Sequence, residues 1–185
     1  MPGGDPKAVR LLVLDVDGCL TDGSIMYDAD GRETKRFSVR DGLGIAAWRR
    51  LGLPVAIITG RESAMVTRRA GELGITRVYQ GVRDKAAALA EVLSDLAIEP
   101  EQAAAFGDDW NDLPMLAAVG FAACPADAAD EVKQIADYVC GKPGGHGAVR
   151  EVIDHLLRAS GRLEAALASY RLPAAGGTSP AGSGQ

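Results

Sequence analysis

Six short runs punctuate this chain: LLVLDV from Leu11, VAIIT from Val55, RVYQ from Arg77, AAAFG from Ala103, FAAC from Phe121 and DYVC from Asp137. Most are apolar at consecutive positions rather than alternate ones, so both faces of each strand must be covered. Helical stretches follow them, namely DGLGIAAWRRLG, RESAMVTRRAGELG, VRDKAAALAEVLSDLA, NDLPMLAAV and HGAVREVIDHLLRASG. Strands alternating with helices predict an α/β fold in three layers, a parallel sheet with helices on both faces. A length of 185 residues, 47% of them hydrophobic, suits one domain, placed here at residues 9–171. Residues 1–8 are expected to be a flexible leader, and the Gly-, Pro-, Ser- and Ala-rich residues 172–185 a disordered tail.

One segment breaks the rhythm. In SIMYDADGRETKRFSV, Ile25 and Tyr27 alternate, Asp30-Gly31 marks a turn, and Phe37 and Val39 alternate again. That pattern predicts a β-hairpin inserted after the first strand.

The strand ends carry the chemistry. The first strand closes on Asp15, with Asp17 just beyond; the second closes on Thr59-Gly60; the fourth runs into Asp108 and Asp109; and Lys85 opens the helix after the third. A parallel sheet sets these ends on one edge, where open α/β folds bind their ligands. Carboxylates clustered in a chain with only two histidines favour a hard, oxygen-seeking cation, and Mg²⁺ suits that set. Beside such a cation Asp15 can attack phosphorus and form an aspartyl-phosphate. Asp17 can protonate the leaving oxygen and then activate water. Thr59 and Lys85 can hold phosphoryl oxygens. Asp109 and Asp112 are expected to steady the metal ligands from behind.

Other features carry less. GLGIAA, Gly42 to Ala47, matches a dinucleotide fingerprint, but a polar hairpin precedes it where that motif needs a buried strand. The net charge of -5 argues against a nucleic-acid surface. No apolar run approaches the roughly 20 residues of a membrane span. The opening MPGGDPKAVR has no charged-then-apolar signal, so a cytoplasmic location is expected. Cys19, Cys124 and Cys140 form no CxxC pair and read as buried thiols.

Four motifs, DVDGCLTDG, IITGR, the Lys85 of VRDK, and GDDWND, resemble in order the signatures of the haloacid dehalogenase superfamily of phosphatases. That resemblance implies Asp15 as nucleophile, Asp17 as acid/base, and Mg²⁺ held by Asp15, Asp108 and the main-chain carbonyl of Asp17. DGLGIAAWRRLGLPVAIITGRES, LGITRVYQG and GGHGAVREV look more narrowly like the phosphatases of 3-deoxy-D-manno-octulosonate 8-phosphate, from about Arg10 to Ser169. This implies that Ser38, Arg40, Asp41, Gly42, Gly60, Arg61 and Arg69, with Asp17 and Lys85, contact a phosphosugar. Arg61 suits a substrate bearing both phosphate and carboxylate, since its planar fork pairs with oxyanions. Cys19 stands where those relatives usually carry an aliphatic side chain.

Many superfamily members cover the site with a large inserted domain, and this chain has no room for one. Either a macromolecular substrate fills the opening or a neighbouring subunit walls it. The small ribbon bearing Ile25, Tyr27 and Phe37 needs a partner surface. The narrower resemblance implies a homotetramer through it. A phosphatase for a nine-carbon acid sugar phosphate is the alternative among enzymes. Outside enzymes the alternatives are a phospho-receiver module and a catalytically dead scaffold. A receiver shares the strand-end Asp, Thr and Lys but has no use for Asp17 as a base.

Overall fold

The strands are β1 (Leu11–Leu14), β2 (Met26–Tyr27), β3 (Glu33–Thr34), β4 (Val55–Ile58), β5 (Arg77–Tyr79), β6 (Ala103–Phe106), β7 (Phe121–Cys124) and β8 (Tyr138–Val139). The helices are α1 (Val39–Arg50), α2 (Ala64–Glu72), α3 (Lys85–Leu96), α4 (Leu113–Leu116), α5 (Asp130–Ile135), α6 (Ala148–Ala159) and α7 (Leu163–Ala168). These elements come from a computed structural model that describes residues 3–171, so the expected tail at 172–185 lies outside the described residues.

Six strands form one parallel sheet in the order β5-β4-β1-β6-β7-β8. Strand progression runs outward from β1 through β4 to β5, then returns to the other side of β1 at β6. The crevice at that reversal is where ligands enter such sheets. Alternation within β1 divides the core. Leu12 and Leu14 pack with Ile45 and Trp48 of α1, Val66 of α2, Ile153 of α6 and Ala166 of α7. Leu11 and Val13 face the other way, onto Leu89 and Val92 of α3, Met115 of α4 and Val132 of α5. Consecutive apolar residues in β1 are therefore needed on both faces, as the sequence required.

The hairpin is shorter than its alternation implied. β2 pairs antiparallel with β3 through Met26↔Thr34 and Tyr27↔Glu33. Asp28 Oδ1 closes the turn, accepting from the N–H groups of Asp30 at 2.9 Å and Arg32 at 2.8 Å. The second strand stops at Thr34, short of Phe37 and Val39. Ser38 caps α1 by accepting from the Asp41 N–H at 3.3 Å, so the chain is already turning helical there. Phe37 packs against the core, while Val39, on the first turn of α1, is 82% exposed.

Two six-residue helices, α5 and α7, fall outside the expected helical stretches; they are too short for a 3.6-residue period to show. Within the expected leader, Gly3 and Gly4 contact the domain. The N–H groups of Gly3 and Gly4 donate to Asp137 Oδ1 at 2.5 and 2.9 Å, at the head of β8. Among the described residues no helix is long and apolar enough to cross a membrane.

Candidate active site

Asp15 follows the last residue of β1 and is tied to the sheet by its N–H, which donates to the Phe106 carbonyl at 3.0 Å. Its carboxylate is buried, and Oδ1 accepts from Lys85 Nζ at 2.6 Å. Lys85 begins α3 behind the Asp84 cap and is itself 2% exposed. The same ammonium donates to Asp112 Oδ1 at 2.5 Å. Asp112 Oδ2 accepts from the main-chain N–H groups of Asp108 at 2.9 Å and Asp109 at 3.3 Å. Asp112 thus joins the Asp108 loop to Lys85. Asp109 is exposed and accepts from the Trp110 N–H at 2.8 Å.

The charge balance of this cluster calls for a cation. Burial, then repulsion from Asp112, pushes the Asp15 carboxyl up to about 7 despite Lys85. Burial, then Asp15 and Asp112, pushes Asp108 up to about 7 as well. One buried ammonium does not neutralise three carboxylates. Ligand atoms of Asp15, Cys19 and Asp108 lie within 4.8 Å of one another, close enough to share an ion. Gly18 at φ +93° brings the loop in so tightly that a Cβ would stand 2.0 Å from Asp108 Oδ2. The oxygen donors of Asp15 and Asp108, so placed, fit a small hard cation. Cys19 packs against that cluster, its thiol donating to Asp108 Oδ1 at 3.5 Å.

Asp15, Asp17, Thr59, Gly60, Arg61, Asp108, Asp109 and Asn111 line a cavity of about 160 Å³. Thr59 is buried at the end of β4, its N–H on the Tyr79 carbonyl at 2.9 Å. The strand-end prediction therefore converges on one cavity. Of the residues expected to contact the sugar, Asp17, Gly60 and Arg61 share that cavity, and Ser38, Arg40 and Arg69 do not. Ser38 and Arg40 line a different opening, about 420 Å³, with His146. Arg69 lines another, with Lys35 and Phe37, and pairs with Glu72 Oε2 at 3.1 Å.

Asp41 and Gly42 are both buried in the single chain. Asp41 is 1% exposed, and its carboxylate accepts from the N–H groups of Gly147 at 3.2 Å and Arg150 at 2.8 Å. Its side chain anchors the start of α6. Gly42 is buried under Arg69, whose Nη2 lies 2.2 Å from where a Cβ would stand. The nearby GGHG stretch braces the catalytic loop: the Gly145 N–H donates to the Cys19 carbonyl at 2.9 Å, and a Cβ on Gly144 would stand 1.7 Å from the Gly18 carbonyl.

Sequence reasoning missed a second group of site residues. Lys35 donates to Asp17 Oδ1 and lies 3.4 Å from Glu33 Oε1. Glu33 also accepts from Arg61 Nη2 at 3.3 Å and from Ser63 Oγ at 2.5 Å. The Ser63 hydrogen bond, with Lys35 and Arg61, outweighs burial and holds the Glu33 carboxyl below its usual range. The available signal was Glu33 and Lys35 two apart on one face of the ribbon, indistinguishable in sequence from a solvated face.

Against known proteins, the pattern of the haloacid dehalogenase-like hydrolases matches residues 73–153. The 3-deoxy-D-manno-octulosonate 8-phosphate phosphatase of Escherichia coli is 48% identical over 158 residues, 85% of this chain and 84% of its own length. The chain belongs to the haloacid dehalogenase superfamily of hydrolases. Two solved relatives extend the likeness to the whole fold. The 3-deoxy-D-manno-octulosonate 8-phosphate phosphatase of Yersinia pestis is 46% identical, with a TM-score of 0.85 over 86% of each chain. That of Moraxella catarrhalis, solved with magnesium, phosphate and the sugar acid, is 43% identical, with a TM-score of 0.87 over 90% of this chain and 96% of its own. A receiver module and a dinucleotide site at Gly42–Ala47 both fall away: the first lacks this family's signatures, and the second is buried helix in α1.

Proposed function

We propose that this protein is a Mg²⁺-dependent phosphatase of 3-deoxy-D-manno-octulosonate 8-phosphate, acting in the cytoplasm in the synthesis of a lipopolysaccharide sugar. The observation that carries the reading is the junction of Asp15, Lys85, Asp112 and Asp108 at the sheet reversal, with Asp17 facing the same cavity. The relatives' shared substrate supports the choice of sugar.

Each residue then has a task. Asp15, Asp108 and the Asp17 carbonyl would hold the cation, which lowers the charge repulsion met by an incoming phosphate. Asp15 attacks phosphorus through its free oxygen while Lys85 holds the other. The new Asp15–phosphorus bond forms as the ester P–O bond breaks, and Asp17 gives its proton to the departing sugar oxygen. Asp17 then takes a proton from water, whose oxygen attacks phosphorus and releases Asp15 and inorganic phosphate. Lys85 and Thr59 would receive phosphoryl oxygens. Asp109 and Asp112 keep the Asp108 loop in place.

The assembly we propose is a homotetramer through the hairpin. Ile25 and Tyr27 are 54% and 64% exposed, a large apolar fraction for so short a ribbon. Packing hairpins together would cover them and bring Ser38, Arg40 and Arg69 toward a shared site, reconciling cavities that a single chain keeps apart. The deciding experiment is phosphate release from a panel of phosphosugars with Mg²⁺, including a nine-carbon acid sugar phosphate, on wild type and Asp15→Asn. Wild type should prefer the eight-carbon acid sugar, and Asp15→Asn should release nothing. Equal rates for the two proteins would overturn the nucleophile, and preference for the nine-carbon sugar the named substrate.

A further inference from the structure

We propose that Lys35 is the positioning residue for the acid/base Asp17, supplied by each chain's own hairpin; this rests on the phosphatase reading above. Asp17 lies beyond the end of β1. It sits in the loop after β1, and its side chain remains 20% exposed. An acid/base must offer one defined oxygen to the leaving group and then to water, and a carboxylate free to rotate offers neither reliably. Lys35 removes that freedom. Its ammonium donates to Asp17 Oδ1, and its side chain is only 2% exposed. Asp17 Oδ2 is left toward Arg61, whose Nε stands 3.7 Å away, beyond hydrogen-bond length. One oxygen is anchored and the other is available to carry the proton.

Lys35 is itself held. Glu33, two residues earlier on the same face of the hairpin, lies 3.4 Å from its ammonium and also engages Arg61 Nη2 and Ser63 Oγ at the start of α2. The base of the hairpin is thereby tied to the loop after β4 and to the start of α2. Lys35, Glu33 and Ser63 have no place in the phosphoryl-transfer steps, yet this strap sets both Asp17 and Arg61. It acts in cis, so it persists in a dissociated protomer.

The test turns on the leaving group. A sugar alcohol departs only as it takes Asp17's proton, whereas p-nitrophenolate departs without one. Lys35→Met should lower kcat on the sugar phosphate about 100-fold, within the range of lost acid/base help. The first-turnover release of p-nitrophenolate from p-nitrophenyl phosphate should stay within about threefold of wild type, since Asp15, Lys85 and Asp108 are untouched. KM for the sugar phosphate should change little. Lys35→Arg keeps the charge and should bring kcat to within about tenfold of wild type. In an Asp17→Asn background Lys35→Met should add no further loss. Equal losses on both esters, or a folded Lys35→Arg no better than Lys35→Met, would overturn the assignment. If Lys35→Met does not fold, the Lys35→Arg ratio between the two esters decides. A wild type inert on both esters would instead overturn the phosphatase reading, and the role of Lys35 with it.

Discussion

Asp112→Asn isolates what one buried carboxylate contributes to this site. Asp112 is fully buried and both its oxygens are filled by donors: Lys85 Nζ on one, the N–H groups of Asp108 and Asp109 on the other. Asparagine has the same shape but turns one acceptor into a donor. If its NH₂ faces the two main-chain groups, both lose their partner, at about 1–3 kcal/mol each. If it faces Lys85, a buried ammonium loses one of its two carboxylates, and breaking a buried pair costs about 3–5 kcal/mol. Removing one negative charge beside Asp15 and Asp108 offsets part of either loss. The net is about 2–3 kcal/mol. For a domain of this size that lowers Tm by roughly 5–10 °C. Calorimetry without metal measures it. Mg²⁺ affinity, followed by titration, should fall about 10–100-fold as the Asp108 loop loosens. A Tm within about 2 °C of wild type, with unchanged Mg²⁺ affinity, would refute the claim that Asp112 holds the loop.

Metal binding should depend steeply on pH. Asp15 and Asp108 both titrate near about 7, so protons compete with the cation below that value; from pH 6 to 8 affinity should rise about tenfold per carboxylate, or about 100-fold if both must ionise, as metal titrations at fixed ionic strength would show. The same upward shifts make the metal-free fold lose stability as pH climbs from about 4 to about 7, because the unfolded carboxylates ionise first; a melting temperature that rises over this window would contradict the shifts. Asp41→Ala should cost about 2 kcal/mol by freeing the N–H groups of Gly147 and Arg150, read as a lower urea midpoint with the Mg²⁺ affinity retained. Ile25→Ser with Tyr27→Ser should leave each protomer folded, since both side chains are exposed, and reduce the mass seen by light scattering from four chains to one; a wild type that already scatters as one chain removes the tetramer.

The strand ends were legible in the sequence because a parallel sheet makes position along the chain equivalent to position in space. Once LLVLDV, VAIIT and AAAFG are strands covered on both faces, Asp15, Thr59 and Asp108 must stand on one edge, and Lys85 follows from opening the next helix. The resemblance of their motifs adds the roles. Tertiary structure decided what local pattern leaves degenerate. The resemblance marks Asp41 as a ligand contact at the start of a helix, and only the approach of α6, more than a hundred residues later, shows that its carboxylate also anchors another helix. Glu33 and Lys35 had the spacing of a solvated ribbon face, and only the fold of the hairpin toward Asp17 and the start of α2 turns that face onto the site. Phe37 continued an alternation that the Ser38 cap cuts off, because a hydrogen bond to the first turn of a helix ends a strand whatever its period promises. Periodicity records which face a residue shares with its neighbours in sequence; what that face meets is set by segments the period does not reach.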